Sequence, residues 1–505
     1  MPPDFRGLRV LLFQCPQAGA SADRIVRLGG VAVEAPDPAI EASRRDEWAQ
    51  AILSARADLV LFHRPDQVPA LVGAGADRLL DAFRGTGIGS FDPETSAALR
   101  QAGLTPDHEA DPSEPEDWIR ELARRGRDLL ERKRRSRALG VDTNRWRRID
   151  AAWEAGPGRE HRAGRADSPF LRACRREATP YTPVWIMRQA GRYQREYRDL
   201  RSRVPFVDLC RNPELAAEVT LMAVDRLGVD AAILFSDILT VLEPMGIPVR
   251  FDRADGPGID RPIRTEADWR GLPEPDAAGL EFVYAAVRLA RRALRPDLPL
   301  IGFAGAPFTV ASYVVEGGRS HRFENAKTMM FHAPDLWDRI LGRLARLIAE
   351  YLNRQIQAGA DAVQLFDSWA GCLAPDDYRR FVLPHTRRLI GSLSGPAPVI
   401  HFATGNPALL ELLREAGGDV IGLDWRVDLG QARRRLGDGV AVMGNLDPVV
   451  LLAPPQEIRR QVGRILEKAE GRPGHVFNLG HGILPQTPPG HVSALVDAVH
   501  ELSAR

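Results

Sequence analysis

From residue 168 onward the sequence keeps one rhythm, and that rhythm limits the folds open to it. Short apolar runs each end on a polar residue or a glycine: PVWIMR (183–188), AAILFSD (231–237), LPLIGFAG (298–305), AVQLFDS (362–368), PVIHFATG (398–405), DVIGLDW (419–425), VAVMGNLD (440–447) and HVFNLGHG (475–482). Between them lie stretches with helical spacing, such as PELAAEVTLMAVDRL and LWDRILGRLARLIAEYLNRQI. Runs that are apolar on both faces suit parallel strands covered by helices. The repetition predicts a (β/α)8 TIM barrel, with an open doubly wound sheet as the structural alternative.

Barrels of this kind place their active site at the C-terminal ends of the strands. The last residues of the runs are Arg188, Asp237, Gly305, Asp367 with Ser368, Thr404, Asp424, Asn445 and His481. Arg192 follows the first run, and Tyr313 and Glu316 lie just beyond the third. Two arginines directly after a packed run leave a choice between a solvated turn and a grip on an anion. The net charge is +1, so no global attraction to nucleic acid or acidic membrane exists and any preference for anions is local. Asp237 has a second reading as an N-cap after the second run, Ser368 as a cap at a strand-to-helix turn, and His481 as a packed histidine.

Several reaction classes lack their motifs. There is no G-x-S-x-G elbow, no phosphate-binding loop and no His pair at metal spacing with a carboxylate. The GIG at 87–89 is too short for a dinucleotide fingerprint. The four cysteines, Cys15, Cys174, Cys210 and Cys372, are far apart, which suits reduced thiols of a cytoplasmic protein. No signal-peptide pattern opens the chain, and no run approaches the ~20 apolar residues of a membrane helix.

The stretch PFLRACRREATPYTPVWIMRQAGRYQREYRDLR resembles the N-terminal signature of uroporphyrinogen decarboxylases. The resemblance continues in order through FSDIL (235–239), GPGIDRPIRT (256–265), GFAGAPFTVASYVVEGG (302–318), QLFDSWAG (364–371), MGNLDP (443–448) and NLGHGILPQTPPGHV (478–492), covering residues of about 168–505. It implies a (β/α)8 barrel that removes carbon dioxide from the four acetate side chains of uroporphyrinogen III in haem biosynthesis. It implies no cofactor and no metal, a homodimer with facing sites, and a small-molecule substrate rather than nucleic acid or membrane. By the same resemblance Arg188, Arg192, Asp237, Tyr313, Ser368 and His481 bind the substrate, and Asp237, Arg188 and Tyr313 are catalytic. Arg188, an arginine and so a poor acid, orients or shares a proton through water or substrate.

Two rivals remain. Zinc-dependent methyltransferases resemble the same barrel but carry a His-x-Cys motif near the fifth strand. Here that stretch is HFATGN, with Ala403 in place of the cysteine. The other is a protein that binds a tetrapyrrole and leaves it unchanged.

Residues 1–125 read differently. LRVLLFQ (8–14), ADLVLFH (57–63) and GIGSF (87–91) predict strands, and PETSAALRQAGL (93–104) a helix with Pro93 in its first turn and Gly103 at its end. The pattern predicts a small doubly wound, flavodoxin-like α/β domain. IGSFDPETSAALRQAGLTPDHEA and ADLVLFHRPDQV resemble parts of uroporphyrinogen-III synthase, with His63-Arg64 where that family has Thr-Ser. Only about one of the synthase's two domains is present. The resemblance implies a degenerate domain, structural or regulatory. An active synthase or an unrelated regulatory module are the alternatives. Residues 126–167, rich in arginine and holding Trp146 and Trp153, read as a basic, solvated linker rather than a nucleic-acid patch.

Overall fold

Apolar runs become parallel strands in both parts of the chain. The computed structural model describes residues 167–252 and 256–505 continuously, with residues 8–13, 15, 18–28, 30–35, 57–72, 86–90, 92–102, 106 and 108–109. The chain divides into two units, Met1–Gly156 and Pro157–Arg505.

In the first unit five strands, β1 (Arg9–Phe13), β2 (Val31–Ala35), β3 (Leu59–Phe62), β4 (Gly87–Ser90) and β5 (His108–Glu109), form a parallel sheet in the order β2-β1-β3-β4-β5. Helices Ala18–Arg27, Gln67–Val72 and Pro93–Gln101 lie between them in sequence. The order reverses direction between β1 and β3, as in doubly wound, flavodoxin-like domains. Val10, Leu12, Leu59 and Leu61 pack with Ile25 into its core. Gly103 and the basic stretch 126–166 lie outside the described residues.

The second unit holds β6 (Ala232–Ile233), the antiparallel hairpin β7 (Val249–Asp252) and β8 (Gly256–Ile259), then β9 (Leu300–Gly305), β10 (Ala362–Asp367), β11 (Val399–Ala403), β12 (Val420–Gly422), β13 (Ala441–Met443) and β14 (His475–Val476). Seven of these form one parallel sheet, β14-β13-β12-β11-β10-β9-β6. The segment around Val184 fills the eighth place. Phe477 N–H donates to Pro183 O (2.8 Å) on one side, and Asp230 N–H donates to Val184 O (2.8 Å) on the other. The wall is therefore a closed (β/α)8 barrel.

The first run is shorter as a strand than its sequence predicts, because side-chain amides take over the ladder. Ile186 N–H donates to Gln189 Oε1 (3.2 Å), and Gln189 Nε2 donates on to Ala231 O (3.2 Å). Met187 N–H donates to Asn478 Oδ1 (3.0 Å). The chain then turns at Arg188, whose φ of 64° is left-handed.

Alternate residues of the strands fill the barrel. Trp185, Met187, Ile301, Phe303, Ile400, Phe402, Met443 and Val476 form one buried cluster, joined by Phe170 and Leu171 from the helix Pro169–Cys174. Ser168 caps that helix, its Oγ accepting from Leu171 N–H (3.3 Å). Outside, Pro213–Leu227 starts at Asn212, whose Oδ1 accepts from Leu215 N–H (2.9 Å), and ends at left-handed Gly228. Among the described residues no helix is long and apolar enough to cross a membrane.

Candidate active site at the barrel mouth

The turn after the first run presents both arginines on a braced backbone. Tyr193 OH donates to Gln189 O (2.6 Å), and Arg198 Nη1 donates to the carbonyls of Arg192 and Tyr193 (2.9 Å each). Arg188 lies over Gly482: a Cβ there would come within 2.6 Å of Arg188 Cδ and 2.8 Å of its Nε. Arg188 is open to water within a concave mouth whose walls still draw its guanidinium pKa down, burial being the largest cause. Arg192 is exposed. Neither arginine has a carboxylate partner among the described residues. The solvated-turn reading thus describes the position of Arg192, but not the seat that Gly482 makes for Arg188.

Asp237 ends the run that contains β6. Its Oδ1 accepts from Leu239 N–H (2.9 Å) and starts the turn into the 3-10 helix Thr240–Met245. This is an Asx turn ahead of the helix, whose N-cap is Leu239, so Asp237 is not the N-cap; its other oxygen makes no hydrogen bond among the described residues. Burial pushes the carboxyl from 3.8 up to about 6, against the pull of Leu239 N–H and the charge of Arg188. Beside it stands Tyr313, buried on the helix Pro307–Glu316. Its phenol is pushed up to about 12 by burial and by Asp237, with Arg319 and Arg188 pulling the other way. Tyr313 interacts with Asp237 through charge rather than a hydrogen bond, and its ring stacks on Trp369 at 3.8 Å and 29°.

His481 Nδ1 accepts from Gly482 N–H (2.8 Å), which leaves the proton of the neutral ring on Nε2. Burial, then the charge of Arg188, draws its pKa down, so the neutral ring is favoured. Ser368 follows β10; its carbonyl accepts from Thr404 Oγ1 (2.8 Å), and its hydroxyl makes no hydrogen bond among the described residues.

Other strand-end groups are consumed by the fold. Asp424 accepts from Arg426 Nη1 (2.8 Å) and from Gly405 N–H (3.0 Å). Asn445 Nδ2 donates to Asp424 O (2.9 Å) and Val427 O (2.7 Å). Asp367, fully buried and pushed up to about 7 by that burial, accepts from Thr309 Oγ1 (2.8 Å). Glu316 turns away to cap the helix Glu324–His332, accepting from Ala326 N–H (2.9 Å) and Asn325 Nδ2 (3.0 Å). Trp369, one residue past Ser368, escaped the sequence reading, as did the wall of a cavity of ≈ 360 Å³ beside Asp237, lined by Phe206, Leu239, Ile247, Val249, Phe251 and Phe282. Among the described residues no group of three or more His, Cys, Asp or Glu side chains is placed to hold a metal ion.

A closed (β/α)8 barrel that gathers a raised carboxyl and guanidinium groups without carboxylate partners among the described residues at one mouth has the architecture of a barrel enzyme with an anion-accepting site. The profile of the uroporphyrinogen decarboxylase (URO-D) family matches residues 165–502. The chain belongs to that family. A uroporphyrinogen decarboxylase of Carboxydothermus hydrogenoformans is 53% identical over 340 residues, covering 66% of this chain and 96% of that protein. One of Pelobacter propionicus is 53% identical over 336 residues, covering 66% and 98%. Among solved structures, a methyltransferase from Methanosarcina mazei shares the fold, with a TM-score of 0.57 and 23% identity over 66% of this chain and 97% of that one.

Proposed function

We propose that the chain is a uroporphyrinogen decarboxylase of tetrapyrrole biosynthesis, converting the four acetate side chains of uroporphyrinogen III to methyl groups and giving coproporphyrinogen III. One observation carries the reading of the site: Asp237, with one oxygen held and no ion-pair partner among the described residues, stands beside Arg188 and Tyr313 at the mouth. Losing carbon dioxide from an alkyl acetate leaves an electron pair that needs a sink. A pyrrole supplies one when a ring carbon next to nitrogen is protonated. The pair from the breaking C–C bond neutralises the ring, a second proton turns the exocyclic methylene into a methyl group, and the ring carbon releases its proton. The net change for each acetate is one proton taken up and one carbon dioxide released.

Ionised Asp237 stabilises the cationic ring and accepts from the pyrrole N–H groups. Arg188 and Arg192 hold substrate carboxylates by charge-assisted hydrogen bonds. Arg188 also orients the water or carboxyl that delivers the proton. The Tyr313 and Ser368 hydroxyls and His481 Nε2–H meet further carboxylates. The ring is its own electron sink, so the scheme uses neither cofactor nor metal.

The barrel, from about residue 168, acts in the cytoplasm as a homodimer. Residues 1–125 are a degenerate synthase-like domain, and 126–167 a basic linker; the parallel order of the first sheet is compatible with that ancestry. The test is incubation of metal-free, full-length protein with uroporphyrinogen III without air. Products with seven, six, five and four carboxylates are expected. Unchanged substrate that nevertheless binds would replace the enzyme by a binding protein. Conversion of hydroxymethylbilane to the type III isomer by the same chain would overturn the degeneracy of the first domain.

A further inference from the structure

The helix that carries Tyr313 ends at Glu316, and the chain leaves it through Gly317, whose φ is 88°. That exit is pinned on two sides. Ile259 N–H donates to Gly317 O (2.8 Å) and Ile263 N–H to Val314 O (3.0 Å). Arg264 Nε and Nη2 donate to the carbonyls of Val315 and Glu316, at 3.3 Å each. A Cβ on Gly318 would lie 3.4 Å from Pro257 O, so the loop rests directly on the β7–β8 hairpin. The next residue is Arg319. Its stem runs along the hairpin, 3.8 Å at Cδ and 4.0 Å at Nε from a Cβ placed on Gly256.

Arg319 is exposed and has no carboxylate partner among the described residues, although neighbours on the same rim are paired: Arg250 with Asp260 (2.5 Å) and Arg322 with Glu324 (3.7 Å). It is near enough to act through charge on both Arg188 and Tyr313. A third unpaired guanidinium close to a first raises the local positive potential, an arrangement that an entering polyanion relieves. Arg188 and Arg192 both come from one turn, whereas a macrocycle with carboxylates around its whole edge needs cations from more than one element.

We propose that Arg319 is a third substrate-gripping arginine, holding a carboxylate of the macrocycle from the hairpin side of the mouth. The inference rests on the decarboxylase reading above. The experiment compares full-length wild type and Arg319→Gln on uroporphyrinogen III without air, at low and high salt. The variant's KM is expected to rise about tenfold, the effect of losing one charge-assisted hydrogen bond. Its kcat should stay within twofold, and the KM ratio should shrink as salt rises. A KM less than threefold above wild type, a fall in kcat alone, or a KM ratio indifferent to salt would overturn the assignment of Arg319. Inactive wild-type protein would instead remove the decarboxylase reading, and this inference with it.

Discussion

Replacing Asp237 with asparagine is expected to stop turnover while making the barrel harder to unfold. The carboxyl rises from 3.8 to about 6 in the folded chain, with burial as the main cause. Folding therefore disfavours the ionised form. The penalty is absent below the unfolded value, grows as pH rises, and is complete above about pH 6. The full shift corresponds to about 3 kcal/mol. Because the side chain keeps some contact with water, about 1–2 kcal/mol is the expected gain in the asparagine variant at pH 8. Asparagine retains an oxygen for Leu239 N–H, so the turn into Thr240–Met245 survives. For a unit of about 340 residues, 1 kcal/mol moves the melting temperature by roughly 1.4 °C, which gives an increase of about 1.5–3 °C. Calorimetry on full-length protein at pH 8 and pH 5 is the assay; the gain should fall by about half at pH 5. A variant no more stable than wild type at pH 8, or equally stabilised at both pH values, would refute the reasoning. On the kinetic side, the wild-type rate should fall as pH drops through about 6, and the variant should lose at least about a hundredfold in kcat.

Gly482→Ala puts a methyl group 2.6 Å from Arg188 Cδ, and the flexible side chain gives way rather than the fold. kcat/KM should drop at least about tenfold with little change in melting temperature, as kinetics and a thermal melt would show. Arg192→Ala removes an exposed cation whose side chain makes no hydrogen bond or ion pair among the described residues, so KM should rise about tenfold with kcat nearly intact in steady-state assays. His500 Nε2 lies 2.8 Å from Asp230 Oδ2, tying the helix Pro489–Ser503 to the seam where Val184 N–H also donates to Asp230 (2.7 Å). Burial pulls the His500 pKa down, but the hydrogen bond and charge of Asp230 outweigh it, so the value is raised above 6.5. Its stabilisation is complete below pH 6.5 and is lost as pH rises through the raised value. The urea stability gap between wild type and His500→Gln should therefore narrow from pH 5.5 to 8.5.

The barrel was legible because its strands are apolar on both faces, a signal carried within each run. What the sequence hid depends on partners far along the chain. The first run stops being a strand at Ile186 because Gln189 and Asn478 supply amides to its N–H groups, the latter 291 residues from Met187. The half-exposed β2 lacks the continuous apolar pattern of β1 and β3. Trp369, in the turn after β10, matters because Tyr313 from the helix Pro307–Glu316 stacks against it and Phe323 meets it edge-on. Asp424 and Asn445 look as available as Asp237 in the sequence, since nothing local reveals that one is paired to Arg426 and the other to two carbonyls.

That contrast separates the two sides of the mouth. Along β11 to β13, Thr404, Asp424 and Asn445 spend their side-chain polar groups on Arg426 and on neighbouring backbone. Along the first run, β6 and β9, the guanidinium groups of Arg188, Arg192 and Arg319 remain unpaired among the described residues, and the Asp237 carboxyl is held at one oxygen only. An uncompensated charge costs stability, and the first side shows that this barrel can satisfy its polar groups internally. The second side leaves its charges open among the described residues, and the polyanionic substrate proposed above would supply the missing partners for the two arginines at the end of the packed first run.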